Sequence, residues 1–172
     1  MMQSQYADMF PSMTRSERPG IDVADFADEG DVTTARILLL LGSDGNRRLL
    51  GDWLGQKYEV ILPEAAGPLT EPFDLAIVDG VAVELWGHEL RTAKHAAEPV
   101  FLPYLLLASR RQVQFVGRHV GQTVDELLRT PIDPAELRTR VEILLRMRQQ
   151  SHALKQHHDE LEALLDARGD VE

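Results

Sequence analysis

Short apolar runs alternating with amphipathic stretches set the layout of this chain. Ile37-Leu38-Leu39-Leu40-Leu41 is continuous and apolar and is closed by Gly42, which predicts a strand buried on both faces, as in a parallel sheet. Residues 45–56 carry Leu49, Leu50, Trp53 and Leu54 at i, i+1, i+4, i+5, the stripe of an amphipathic helix. Tyr58–Leu62 reads as a second strand and Leu75–Val78 as a third. Residues 84–95 read as a helix through Leu85, Trp86 and Leu90, and residues 103–107 as a fourth strand. Residues 110–120 read as a helix through Val113, Val116 and Val120, followed by a short fifth strand at Glu126-Leu127-Leu128. Strands alternating with helices imply βαβ units and a parallel sheet. The expected fold is therefore α/β: a flavodoxin-like, doubly wound (βα)5 sheet with strand order 2-1-3-4-5. Only residues 63–73 join the second and third strands, and Pro63, Gly67, Pro68 and Pro72 fall among them. A full crossover helix barely fits there, so an irregular loop or a single helical turn is expected.

From Asp133 the pattern changes. Asp133-Pro134 supplies an N-cap and a proline at the first helical position, with Glu136 placed for a capping box. No Gly or Pro then interrupts the chain before Gly169. Such a helix spans roughly 50 Å, too long to stay on a small domain. Leu144, Met147, Ser151, Leu154, His158, Leu161 and Leu165 alternate at spacings of three and four. This is a heptad seam with two polar insertions and predicts a dimeric coiled coil. Three segments follow: a disordered acidic tail over 1–34, a globular domain over 35–147 and a helical extension over 148–172.

Charge sharpens this division. The 172 residues carry a net charge of −10. Residues 1–34 hold seven acids against Arg15 and Arg18, half of that net charge in a fifth of the chain. They lack sustained periodicity, as expected of a disordered tail, although Tyr6, Met9, Phe10 and Met13 share one helical face. The acidic balance speaks against a nucleic-acid partner, which needs a basic face. No run approaches the roughly 18 apolar residues of a membrane span, and no signal peptide is recognisable. Cysteine is absent, which removes disulfides, thiol nucleophiles and thiolate metal sites and suits a cytoplasmic location.

Candidate chemistry centres on Asp79, which ends the run Phe73-Asp74-Leu75-Ala76-Ile77-Val78. A carboxylate there lies at the carboxyl edge of the sheet, where open α/β folds keep their sites. This run, the first strand, Gly87-His88-Glu89-Leu90 opening a helix, and Asp125-Glu126-Leu127-Leu128-Arg129-Thr130-Pro131 leading into the last helix together resemble the receiver domain of two-component response regulators. The resemblance covers residues 36–147. It implies a cis peptide before Pro131. It also implies a phosphoacceptor aspartate, an acidic pair after the first strand holding Mg²⁺, a hydroxyl after the fourth strand and a lysine after the fifth. Asp79 falls on the phosphoacceptor. The acidic pair falls on Leu41 and Gly42, the hydroxyl on Ala108 beside Ser109, and the lysine on Thr130 beside Arg129. A carboxylate attacking a polyanion needs a metal and a cation to cancel charge, and these positions supply neither.

The chain is therefore read as a degenerate, pseudo-receiver module of a phosphorelay, without enzymatic activity of its own. It is expected to act through protein contacts and dimerisation, with weak or no phosphorylation. No cofactor is expected, and Mg²⁺ only if phosphorylation is retained. Two alternatives stay open. In one, Asp79 is phosphorylated with displaced assistants: Asp44 and Asp79 on the metal, and Ser109, Thr130 and Arg129 as switch and cation. In the other, Gly42-Ser43-Asp44-Gly45-Asn46 acts as the phosphate loop of an FMN protein. The dimer and output face is expected on Leu137, Val141, Leu144 and Met147, continuing through Leu154, His158, Leu161 and Leu165, with Arg118, His119 and Leu127 as further contacts. Expected partners are a second copy and a histidine kinase or effector domain, with neither nucleic acid nor membrane. The long helix suggests a connection to something beyond residue 172.

Overall fold

A computed structural model describes residues 34–116 and 122–169. Strands β1 (Arg36–Leu40), β2 (Glu59–Ile61), β3 (Leu75–Asp79), β4 (Tyr104–Ala108) and β5 (Glu126–Arg129) form one parallel sheet of order β2-β1-β3-β4-β5. Helix α1 (Asp44–Leu54) and helix α4 (Pro134–Gly169) cover one face, where Leu50, Leu54, Leu137 and Val141 pack on Ile37, Leu39, Leu75 and Ile77. Helix α2 (Gly80–Ala97) covers the other face with Val83, Trp86 and Leu90, and helix α3 (Arg110–Val116) adds Val113 to it. The expected flavodoxin-like topology is the observed one. Both faces are covered because the central strands are buried throughout, and apolar at every position but the last of β3, Asp79.

The β2–β3 connection is an irregular loop without a helix. Arg36 fastens it, donating from Nη1 to the Pro72 carbonyl at 2.8 Å and from Nη2 to Glu59 and Glu71. Beneath the loop lies a cavity of about 260 Å³ bounded by Leu38, Ile61, Leu69 and Trp86, on the flank a crossover helix would fill.

Helix α2 departs from expectation. It begins at Gly80, directly after β3, rather than at residue 84, and Gly87 lies in its interior instead of opening it. The cause is Asp79, whose side chain caps the helix itself. At the other end, Glu98 leaves the helical conformation ahead of a cis Glu98–Pro99 peptide. The Thr130–Pro131 peptide is also cis, as the receiver resemblance implied. Asp133 caps α4, its Oδ1 accepting from the amides of Ala135 at 2.7 Å and Glu136 at 3.2 Å. The Glu136 carboxylate lies 3.7 Å from Arg140 Nη2, one turn along the helix.

Candidate functional site

β3 delivers Asp79 to the carboxyl edge of the sheet, and two backbone donors take hold of it there. Oδ1 accepts from the Ala82 amide at 2.8 Å, the N-cap bond of α2. Oδ2 accepts from the Gly42 amide at 2.8 Å, which ties the end of β3 to the turn after β1. The residue is only 3% exposed. Burial pushes its pKa above the ordinary carboxylate value, outweighing the pull in the other direction of the surrounding backbone amides, those of Ala82 and Gly42 foremost.

The rest of the corner is filled rather than charged. Leu41, on one position of the expected acidic pair, is buried in the core. Gly42, on the other, faces Val81 so closely that a Cβ built on it would lie 2.9 Å from Val81 Cβ. An aspartate at position 42 therefore has no room beside the present Val81. Asp44 points elsewhere: its Oδ1 pairs with Arg47 Nη2 at 2.7 Å on the surface of α1. Among the described residues no group of three or more His, Cys, Asp or Glu is placed to hold a metal. Mg²⁺ asks for near-octahedral oxygen ligands built on carboxylates. The donor set here is one carboxylate already engaged by two amides, so these residues do not fit that ion.

The displaced assistants have structural occupations. Ser109 and Gln112 form a reciprocal capping box at the start of α3: the Gln112 amide donates to Ser109 Oγ at 3.3 Å, and the Ser109 amide to Gln112 Oε1 at 3.0 Å. Thr130 continues the ladder by donating its amide to the Ala108 carbonyl at 3.0 Å. Arg129 ends β5, exposed and paired in register with Ala108. Ser43 Oγ accepts from the Asn46 amide at 3.4 Å, so the Gly42–Asn46 loop is a turn plus an α1 cap.

No family model matches the chain, and no curated protein does. Solved structures match its shape. Full-length FixJ from B. japonicum superposes with a TM-score of 0.58 at 17% identity, over 77% of this chain and 68% of that one. A response regulator receiver domain protein from Clostridium thermocellum gives 0.54 at 17% identity, over 67% of this chain and 98% of that one. This chain has a receiver-domain fold. An adenylate cyclase from Rhodopirellula baltica gives 0.54 at 17% identity, over 75% and 98% of the two chains. At such identities the likeness speaks for the fold alone.

Within this receiver fold, α4 divides the expected output residues into two groups. Leu137, Val141 and Leu144 are core: they are buried against the sheet, Leu144 at 3% exposure, and cannot form a free seam. For Leu144 the heptad pattern misled because a helix face that packs on a sheet uses the same i, i+3, i+4 spacing as a coiled coil, whereas the expectation for Leu137 and Val141 comes from the receiver resemblance. Met147, Leu154, Leu161 and Leu165 are exposed. His158 is exposed too, its Nε2 lying 3.3 Å from Glu162 on the same helix. Leu127 is half-buried beneath the α2 face, and Arg118 and His119 lie outside the described residues.

Sequence reasoning missed two polar fasteners at the amino edge of the sheet. In the first, Arg148 donates from Nε to Asp74 at 3.1 Å and from Nη1 to the Phe101 carbonyl at 2.9 Å, while the Phe101 amide donates to Ser151 Oγ at 2.8 Å. The other Asp74 oxygen accepts from the Arg36 amide at 2.9 Å. Ser151 is thus no polar insertion in a seam. It holds α4 to the body past the boundary drawn at residue 147. In the second, Lys94 donates to the Leu102 and Thr123 carbonyls and to Asp125, and lies 4.4 Å above the Tyr104 ring. Asp125 in turn accepts from the Tyr104 amide at 2.8 Å, and the buried Tyr104 hydroxyl donates to the Leu90 carbonyl at 2.7 Å. A lysine in mid-helix and a serine on an apolar face carry no local signal of such partners.

Proposed function

We propose that this chain is a receiver-like signalling module that works by protein contact and dimerisation, with weak or no phosphorylation at Asp79. The observation that supports this most directly is the state of Asp79: both of its oxygens bind backbone amides, in a corner filled by Leu41, Gly42 and Val81. A phosphoacceptor needs a free oxygen lone pair for attack and a metal to neutralise the incoming charge. Here each oxygen keeps a second lone pair but is committed to a structural bond, one a helix cap and the other the β1–β3 tie, and among the described residues no cluster of carboxylates is placed to hold the metal. Dimerisation is the second part of the proposal and rests on α4, whose apolar residues beyond the body, Leu154, Leu161, Leu164 and Leu165, are exposed. No described helix is long and apolar enough to cross a membrane. Partners in this reading are a second copy of the chain and a signalling protein such as a histidine kinase or an effector domain.

Beryllofluoride, which mimics the acyl phosphate of a phosphorylated aspartate, tests the first part. Wild type and Asp79→Asn would be compared by fluorine NMR at millimolar Mg²⁺, with no bound signal expected from either. A signal in the wild type that disappears in the variant would establish a working phosphoacceptor and overturn the proposal. Sedimentation velocity tests the second part, with a dimer expected.

A further inference from the structure

The seam read from the sequence begins at Leu144 and passes through Ser151, and both positions belong to the body of the domain. Leu144 is buried, and Ser151 accepts the Phe101 amide. Apart from Met147, only Leu154 to Leu165 of that seam is free, a continuous stretch of fewer than two heptads, and short helices of that kind associate poorly. A second row runs beside it. Ile143, Met147, Leu154, Leu161 and Leu164 are all exposed, from 43% at Ile143 to 71% at Leu154. Gln150 and His157, also exposed, fill the gaps in the row. The spacing from 143 to 164 alternates four and three without a break. At 100° per residue this stripe points roughly 120° away from the face that Leu137, Val141 and Leu144 turn to the sheet. It therefore runs alongside the body without competing with it, for about three heptads.

We infer that two copies of this chain pair in parallel, in register, through this rotated row, with Met147, Leu154 and Leu161 at a positions and Ile143, Gln150, His157 and Leu164 at d positions. The inference rests on the dimer reading above and specifies its surface. The direction follows from how the polar layers pair. In parallel register each residue meets its own copy, so Gln150 faces Gln150 and His157 faces His157, and each polar group finds a polar neighbour. An antiparallel pair overlapping the same stretch would set Gln150 against Leu161, His157 against Leu154 and Ile143 against Arg168. Polar groups would then be buried against leucine without partners, which is costly. His158 and Leu165, central in the sequence-derived seam, become flanking positions here.

The absence of cysteine makes the test clean, since a single introduced thiol is the only one per chain. Gln150→Cys, His157→Cys, His158→Cys and Leu165→Cys all alter exposed positions, so the fold is not at risk. The full chain carrying each would be sized by sedimentation velocity and then oxidised mildly. The expected result is a dimer in which Gln150→Cys and His157→Cys form intermolecular disulfides about tenfold faster than His158→Cys and Leu165→Cys, because only core positions bring like Cβ atoms near disulfide range. A dimer that crosslinks faster at 158 and 165 overturns the rotated row while leaving dimerisation standing. A dimer with no crosslink at any of the four positions overturns the parallel arrangement in the same way. A chain that remains monomeric at high concentration removes both the dimer reading and this inference.

Discussion

Replacing Asp79 by alanine would leave two backbone donors, the amides of Gly42 and Ala82, facing a methyl group. The Ala82 amide lies in a buried bond, and an unpaired donor there costs about 1–3 kcal/mol, a range that already includes the lost helix cap. The Gly42 amide sits in an exposed turn where water can replace the carboxylate, so it adds less. Against these losses stands the relief of removing a carboxylate whose charged form burial disfavours. The balance is a destabilisation of about 1–3 kcal/mol, read as a fall of roughly 0.5–1.5 M in the urea midpoint at a slope near 2 kcal/mol per molar. The sign carries the argument. In an acidic cluster that binds Mg²⁺, deleting one carboxylate relieves like-charge repulsion and leaves the domain unchanged or more stable. Among the described residues Asp79 belongs to no acidic cluster of that kind, and its two bonds are structural. An Asp79→Ala variant as stable as wild type, or more so, would refute this account.

The raised pKa of Asp79 gives a second test. The folded state holds the proton more tightly than the unfolded chain, so wild-type stability relative to Asp79→Asn falls as pH climbs from about 4 through the folded pKa, and is flat above it. Parallel urea titrations across that range would show the slope, and identical pH profiles would refute it. Gly42→Ala drives a methyl group to 2.9 Å from Val81 Cβ and should cost about 1–2 kcal/mol in the same assay, whereas an unchanged midpoint would mean that the corner yields freely. Arg148→Ala removes a side chain only 12% exposed that holds Asp74 and Phe101, at a cost of about 1–3 kcal/mol. Hydrogen exchange should then quicken at residues 144–151, and unaltered exchange would deny the clamp. Leu154→Asp should convert the proposed dimer to monomer in sedimentation while leaving the urea midpoint of the monomeric body unchanged, because Leu154 is 71% exposed.

The central strands were legible because they are buried on both faces, which leaves continuous apolar runs such as Leu38–Leu41 and Leu75–Val78 that no other element explains. The missing crossover helix was legible from three prolines in eleven residues. The start of α2 was not, because Gly80 and Val81 are weak helix formers. The helix begins there only because Asp79 turns its carboxylate onto the Ala82 amide. For α4 the sequence shows length and period but not rotation. One apolar stripe serves the sheet and another faces outward, and rows 144/151/158/165 and 143/150/157/164 differ by a single residue. Only the placement of Leu144 and Ser151 against the body separates them. The fasteners on Asp74 and Asp125 escaped for a similar reason, since their partners lie 74 and 31 residues away in the chain.

The two edges of the sheet have unlike characters. At the carboxyl edge, Asp79 closes the corner by knitting β3 to the turn after β1 and to the first turn of α2. A group that must hold two amides to keep three elements together is poorly suited to change its bonding on a signal. At the amino edge, Asp74 ties Arg36 of β1 to Arg148 of α4, and Phe101 ahead of β4 grips α4 on both sides, through Arg148 and Ser151. This is where the last bonds from the body to the helix are made among the described residues. Any partner that shifts the segment before β3 or the one before β4 acts directly on the groups that fix the rotation of α4. A one-residue change in that rotation is what separates a seam of three heptads from one of fewer than two. If two copies pair as proposed, the groups that could regulate that pairing are Asp74, Phe101, Arg148 and Ser151 at the amino edge, with no chemistry required of the carboxyl edge.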